Sequence, residues 1–285
     1  MFRINSHLGT LALAVLLLSL VGIFARFLEP TSGYIATLFG YIVVVILSLA
    51  WILGKGQKKE LVLKGKRVQL LLLALGQLGS AAFYMQAVHY IDLAVAALLL
   101  YSAPVWVVLF YLLSGEEKLG RKFAIPLGLG LLGLFLVTNP ESFFSESLNI
   151  GLLLGMLAGI SYAVSFVYAR KVKDTYKTST IVFWNHLIGA IILAPLLTIF
   201  SFRTDLLAVT WYIGIGLSWA LGYVLLYYSL RFVKAHHASL IALLEPVFVA
   251  AWGFFIFKET LGIIPLFGAV ILLANVFIIN RMMKS

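Results

Sequence analysis

Glu245 is the only acidic residue deep inside a long apolar stretch of this sequence. It stands 10 residues after Ala235, about 15 Å along a helix that rises 1.5 Å per residue, which puts it near the middle of a bilayer. An isolated carboxylate at that depth costs about 3 kcal/mol even on lenient insertion scales, so it must be protonated, paired or open to a wet cavity. No Lys or Arg lies in the middle of any apolar stretch to pair with it. Pro246 follows directly and leaves the carbonyl of Ala242 without its helical donor. Two chemistries fit: a protonated Glu245 that repairs the proline break locally, or a carboxyl that carries a proton or holds an amine.

Other polar side chains recur at helical spacing within apolar stretches. Gln77, Ser80 and Tyr84 share one face, Trp219, Tyr223 and Tyr227 stand at i, i+4 and i+8, and Ser161, Ser165 and Tyr168 form a third stripe. Stripes that face one another make an aromatic, hydrogen-bonding cavity, and the expected substrate contacts are Gln77, Tyr84, Trp219, Tyr223, Tyr101 and Asn185. The alternative is that Ser and Tyr join helices and that Tyr at stretch ends is interfacial, as expected for Tyr168. Tyr101 lies one turn before Pro104, which removes the hydrogen bond to Leu100, so Pro104 and Pro246 are the expected hinge or gate positions. Asn185 is flanked by Trp184 and His186, and His186 is expected to be buried and neutral, with one interhelical hydrogen bond.

Several chemistries are excluded. There is no Cys, hence no thiolate nucleophile and no sulfur-ligated metal. His7, His89, His186, His236 and His237 show no metal-ligand spacing, so no metal, cofactor or catalytic residue is expected. Gly128-Leu-Gly-Leu-Leu-Gly133 matches a dinucleotide fingerprint by letter, but it lies inside an apolar stretch and follows no strand. Gly151, Gly155 and Gly159 form a small-xxx-small pattern, which is a packing surface.

The elements that must position these residues follow from composition. Of 285 residues, 62% are hydrophobic and 11% charged, whereas soluble domains carry roughly a quarter charged residues. Ten apolar stretches can be marked: Leu8–Leu28, Tyr34–Leu53, Val68–Tyr90, Leu93–Leu113, Phe123–Thr138, Ile150–Tyr168, Ile181–Phe200, Leu206–Leu230, Ala238–Phe257 and Leu261–Ile279. Most approach the ~20 residues needed to cross about 30 Å of hydrocarbon, so the fold class is an all-α integral membrane protein with ten spans. With the N-terminus inside, 18 of the 21 Lys and Arg fall on the inner side and only Arg26, Arg203 and Lys258 on the outer. Both termini are therefore expected in the cytoplasm, with Pro140–Ser147 outside and Gly56–Lys64 inside. The formal charge of +10 is thus a topology signal in short loops, and no nucleic-acid partner is expected. No ATP-hydrolysing module is visible, so any movement of solute draws on a gradient or on a separate subunit.

The two halves resemble each other. Ala94-Val-Ala-Ala-Leu-Leu-Leu-Tyr-Ser-Ala-Pro104 aligns with His236-His-Ala-Ser-Leu-Ile-Ala-Leu-Leu-Glu-Pro246 at an offset of 142, which also brings Glu117 onto Glu259 and Leu119 onto Leu261. Ala25-Arg26 matches Ala169-Arg170 at an offset of 144. Residues 1–142 and 143–285 are expected as two five-helix repeats. Because five is odd, the second repeat enters the membrane inverted, and a binding site is expected near midplane between them.

The pattern Leu-x-x-Tyr-Ser-Ala-Pro104 followed by Gly115-Glu-Glu-Lys-Leu119, and Leu243-Leu-Glu-Pro246 followed by Lys258-Glu-Thr-Leu261, resembles the paired EamA modules of the drug/metabolite transporter superfamily. The resemblance covers nearly the whole chain; Lys258 stands where the family's Gly precedes the Glu. It implies a ten-helix basket with helices one to four and six to nine around a central cavity, and transport, often export, of small metabolites such as amino acids.

The leading expectation is a secondary transporter of a small organic metabolite in the plasma membrane, not an enzyme, working by alternating access with protons as a candidate coupling ion. Amino acids are the first expected substrates and cationic or choline-like amines the second, because a phosphorylated ligand wants a fixed cation that the midspan region lacks. An intramembrane enzyme needs a nucleophile with a base, or a metal, and neither is evident; a channel or scaffold does not need the repeat.

Overall fold

A backbone surrounded by hydrocarbon must satisfy its polar groups internally, which leaves the helix as the element for apolar runs of this length. The computed structural model describes residues 6–88, 90, 91, 93–116, 120, 123–138, 150–258 and 262–283. His89, Glu117, Leu119, Glu259, Leu261 and the segment 140–147, all named above, lie outside the described residues. The helices are α1 (Ser6–Arg26), α2 (Gly33–Gly54), α3 (Arg67–Ala87), α4 (Leu93–Leu100), α5 (Ala103–Ser114), α6 (Ala124–Val137), α7 (Ile150–Val172), α8 (Thr178–Leu193), α9 (Leu206–Ser229), α10 (Ala235–Ala242), α11 (Leu244–Phe257) and α12 (Ile263–Met282). No strand occurs among the described residues.

Among the described residues, nine helical stretches are long and apolar enough to cross a membrane, and α6, of 14 residues, is a shorter apolar tenth. The expected boundaries shift by a few residues. The first span begins at Ser6 rather than Leu8, and the seventh begins at Thr178 and finishes as a 3-10 turn, Ala194–Thr198, where Pro195 cannot continue the helical ladder.

Pro104 and Pro246 do more than bend their helices. The fourth span is interrupted at Tyr101-Ser102 and the ninth at Leu243, so each is a pair of shorter helices. At both breaks the chain tightens to i→i−3 bonds: Ser102 N–H donates to Leu99 O at 3.2 Å and Leu243 N–H to Leu240 O at 3.3 Å. Gly115 ends α5 in the left-handed conformation at φ 65°, and Lys258 ends α11 at φ 58°. The Lys that departs from the family pattern thus adopts a backbone conformation that normally favours Gly, at a cost of roughly 1 kcal/mol.

The closest helix packing joins the two halves: α3 lies against α7, α1 against α9, α6 against α12, and α2 against α8 and α9. At one end of the bundle basic residues tie loops to helix ends. Arg170 donates to the carbonyls of Leu230 at 2.6 Å and Val233 at 3.1 Å, and Arg231 to that of Tyr176 at 2.6 Å. Lys171 pairs with Glu116 at 2.6 Å, and Lys64 and Lys177 flank Glu60 at 3.2 and 3.5 Å, the Lys64 bond above all holding that carboxyl below its ordinary range. At the opposite end Arg203 donates to Phe27 O at 3.2 Å and pairs with Asp205, whose side chain caps α9 by accepting from Ala208 N–H at 3.1 Å.

The expected packing role of the α7 glycines holds at Gly159, where an added methyl would run into the Leu99 carbonyl oxygen and come within 2.8 Å of the Ser102 hydroxyl, at the break of the fourth span. Gly128, in the dinucleotide-like run, has open space around it. Gly159→Ala should therefore lower unfolding stability by about 1–3 kcal/mol through overpacking. Gly128→Ala should be neutral or stabilising by up to about 1 kcal/mol. Thermal unfolding of the two variants in detergent checks both.

Candidate functional site

The two breaks bring Tyr101 and Glu245 together. Tyr101, at the interruption of the fourth span, is a near neighbour of Glu245, at that of the ninth. Tyr84 of α3, Tyr162 of α7 and Tyr223 of α9 stand close enough to sense the charge of the same carboxyl. Among the described residues every ion pair lies near a helix end or in a loop, and none includes Glu245. Tyrosines are thus the ionisable neighbours of the carboxyl, and among the described residues no cation pairs with it.

Tyr223 links this group to a second one. Gln77 donates its amide N–H to the Tyr223 hydroxyl, tying α3 to α9. The Tyr223 ring lies 5.0 Å from His186 and 5.5 Å from Tyr227, and His186 in turn meets Tyr41 edge-on at 4.8 Å. Asn185 donates to the Tyr227 hydroxyl at 2.8 Å. Trp219 packs at 5.0 Å from Tyr41 and lies flat on α2 where Gly40 leaves room, since a methyl on Gly40 would come within 2.6 Å of the indole. Each of the expected contacts, Gln77, Tyr84, Tyr101, Trp219, Tyr223 and Asn185, belongs to one of these two connected groups, and Pro104 and Pro246 sit in the first turns of α5 and α11 beside the breaks.

Tyr84, Tyr101, Trp219 and Glu245 are only half-buried although they sit within the bundle, so they border an internal space. Near the basic end α10 packs on α1, α5 and α7. Toward the other end the broken helices lean on different neighbours: α4 on α3 and α7, α11 on α1.

Two expectations need correction. The Ser80 and Ser165 hydroxyls do not line the space; each turns back to a carbonyl of its own helix, on Gln77 and Tyr162, at 2.7 Å. Tyr168, expected at an interface, has its ring 5.3 Å from the Lys171 ammonium near the basic end. His186 is buried as expected, but its bond runs to Val182 O of its own helix at 2.8 Å and not to another helix. Two participants were missed. Tyr41 stands at the offset of 144 from Asn185, the same offset that relates Arg26 to Arg170, so the repeat carried that signal. Tyr162 has no polar counterpart in the first half, and only its midspan position pointed to it.

The EamA-like transporter family model matches the chain twice, over residues 6–139 and 149–281, and the chain belongs to that family. It is a multi-pass membrane transporter and not an enzyme. An uncharacterized transporter of Archaeoglobus fulgidus is 35% identical over 71% of this chain and 72% of its own length. The pseudopaline exporter CntI of Pseudomonas aeruginosa is 25% identical over 71% of each chain, and the riboflavin transporter ImpX of Fusobacterium nucleatum is 25% identical over 68% of this chain and 69% of its own. A crystal structure at 15% identity superposes with a TM-score of 0.84 over 99% of this chain and 100% of that one, a likeness of fold.

The pair between Gln77 and Tyr223 gives a stability test. Gln77 is 7% exposed, so Tyr223→Phe strands a buried amide and should cost about 1–3 kcal/mol, whereas Gln77→Leu combined with Tyr223→Phe removes both partners and should recover most of that loss. Chemical unfolding of the two single variants and the double variant measures it.

Proposed function

We propose that the chain is a secondary active transporter of small amine-bearing metabolites, amino acids first and cationic amines second, with Glu245 as the group that holds the substrate amine or the coupling proton. The observation that carries this reading is the unpaired Glu245 carboxyl among Tyr84, Tyr101, Tyr162 and Tyr223 beside two helix breaks. A carboxylate supplies the counter-charge for an ammonium, and the surrounding ring faces add cation–π attraction of about 0.5–2 kcal/mol each. The missing midspan Lys or Arg favours such a substrate over a phosphorylated one. The pseudopaline exporter and the riboflavin transporter are named for different cargoes, so substrate choice is argued from this chain's own cavity, while the exporter relative favours outward movement.

Alternating access would come from rocking 1–142 against 143–285 as inverted repeats around the space at Glu245. Support comes from the pairing of helices across the halves and from the twofold family match. The charge asymmetry of the loops supports cytoplasmic termini and residence in the plasma membrane.

Glu245→Gln keeps the shape and removes the titration. In proteoliposomes it should abolish uptake driven by a pH gradient, or the binding of amines, while circular dichroism and gel filtration stay those of the parent. Unchanged transport and unchanged pH dependence would return Glu245 to a structural role.

A further inference from the structure

Helix α11 is exposed on two opposite faces. At ~100° per residue, Phe254 stands about 180° around the helix from Glu245, whereas Val249 and Ile256 stand only about 40° and 20° from it. Phe254 is 46% exposed and Val249 40%, and Ile256 is exposed as well. A helix packed into a membrane bundle turns one face to lipid, so the other face borders an internal space. Trp252 tells the two apart. It lies on the Glu245 side, about 20° away, and its indole N–H donates at 3.0 Å to the hydroxyl of Ser19 on α1, a residue buried within the bundle. Tyr84, Tyr101, Tyr162 and Tyr223 are the neighbours of Glu245 on that same side. Phe254 therefore faces lipid, and Val249 is exposed toward the interior.

The offset of 142 that aligns the two halves pairs α11 with α5 and α10 with α4. Val107, the counterpart of Val249, is 0% exposed. Ser239, Leu240, Ile241 and Ala242 of α10 are buried, whereas their counterparts Ala97, Leu98, Leu99 and Leu100 of α4 are each half-buried. The packing differs in the same sense: α10 lies closely on α5, while α4 and α11 share at most a marginal contact. Helices α5 and α10 reach the basic end, where Glu116 meets Lys171 and Arg170 holds the Val233 carbonyl. Helices α4 and α11 run to the opposite end, where the Arg26 guanidinium lies 4.1 Å over the Phe257 ring. Related segments are thus packed together at one end and parted at the other, with Tyr101 and Glu245 where the parting begins.

We propose that α4 and α11 bound a cleft that leads from the end opposite the basic loops to Glu245, and that Val249 and Trp252 are its specificity-determining wall, taking the apolar body of a substrate whose amine reaches the carboxyl. Val249 stands one turn, about 6 Å, beyond Glu245 along α11, and helical side chains lean toward the N-terminus, so it leans over the carboxyl. An aryl group carried two carbons from an ammonium spans that interval and meets the apolar wall; a short aliphatic amine does not. This deepens the reading of Glu245 as an amine site and rests on it for the choice of ligand.

The chain contains no Cys, so single cysteines report without background. In lipid nanodiscs both ends of the protein meet water while the lipid face stays covered, and a charged methanethiosulfonate reagent modifies a thiol only where water reaches it. Val249→Cys should react with the trimethylammonium reagent at least about tenfold faster than Phe254→Cys, comparably exposed but on the lipid face, and than the buried counterpart Val107→Cys. Ligand-dependent thermal unfolding tests the wall. Val249→Trp should lower the affinity for phenethylamine relative to propylamine at least about tenfold, and Val249→Leu should move the ratio less in the same direction. Reaction of Val249→Cys no faster than that of Phe254→Cys overturns the cleft; an amine ratio unmoved by both substitutions overturns the wall. A parent protein that binds neither amine overturns the amine reading of Glu245, and the wall with it, while the labelling, which needs no ligand, still decides on the cleft.

Discussion

An acid at the centre of a membrane-spanning helix, with no cation against it, sets the terms for this structure. Its cost is about 3 kcal/mol or more if charged and dry, and hydrocarbon offers no relief. The chain answers with phenol groups from α3, α7 and α9 and from the break in the fourth span. Phenols can donate to a carboxylate or accept from a carboxylic acid, so they tolerate both protonation states. A lysine in their place would have fixed one.

The two broken helices follow from that need. A continuous helix would turn all of its backbone groups inward on itself; Pro104 and Pro246 each remove a donor and allow a local tightening of the chain. Gly159 lets the Leu99–Ser102 turn sit close against α7, and Gly40 lets Trp219 lie on α2. Small residues thus set the distances at which the aromatic groups meet.

Much of this was legible in the sequence. Glu245 stood out because a charge among apolar residues needs a reason. The spans were recoverable because bilayer thickness sets a length. What escaped was direction. Spacing placed Ser80 and Ser165 on promising faces, yet a hydroxyl on a helix has a carbonyl of its own within reach, and that local bond won. Tyr41 and Tyr162 were overlooked because a tyrosine within an apolar run reads as bulk until its neighbours are known. The breaks were anticipated only as bends, since proline reveals a missing donor and not how the next turn re-forms.

The central claim is that the space at Glu245 recognises an ammonium group. Three probes with one aromatic body and different heads separate it from its rivals: phenethylamine, phenylalanine and phenyl phosphate, each titrated against the thermal stability of the purified protein. A bound ligand at 100 times its dissociation constant adds about 2.7 kcal/mol, enough to read as a shift in melting temperature. The account predicts that phenethylamine and phenylalanine stabilise the protein and phenyl phosphate does not. Stabilisation by phenyl phosphate above that by both amines, or none by either amine, would contradict it.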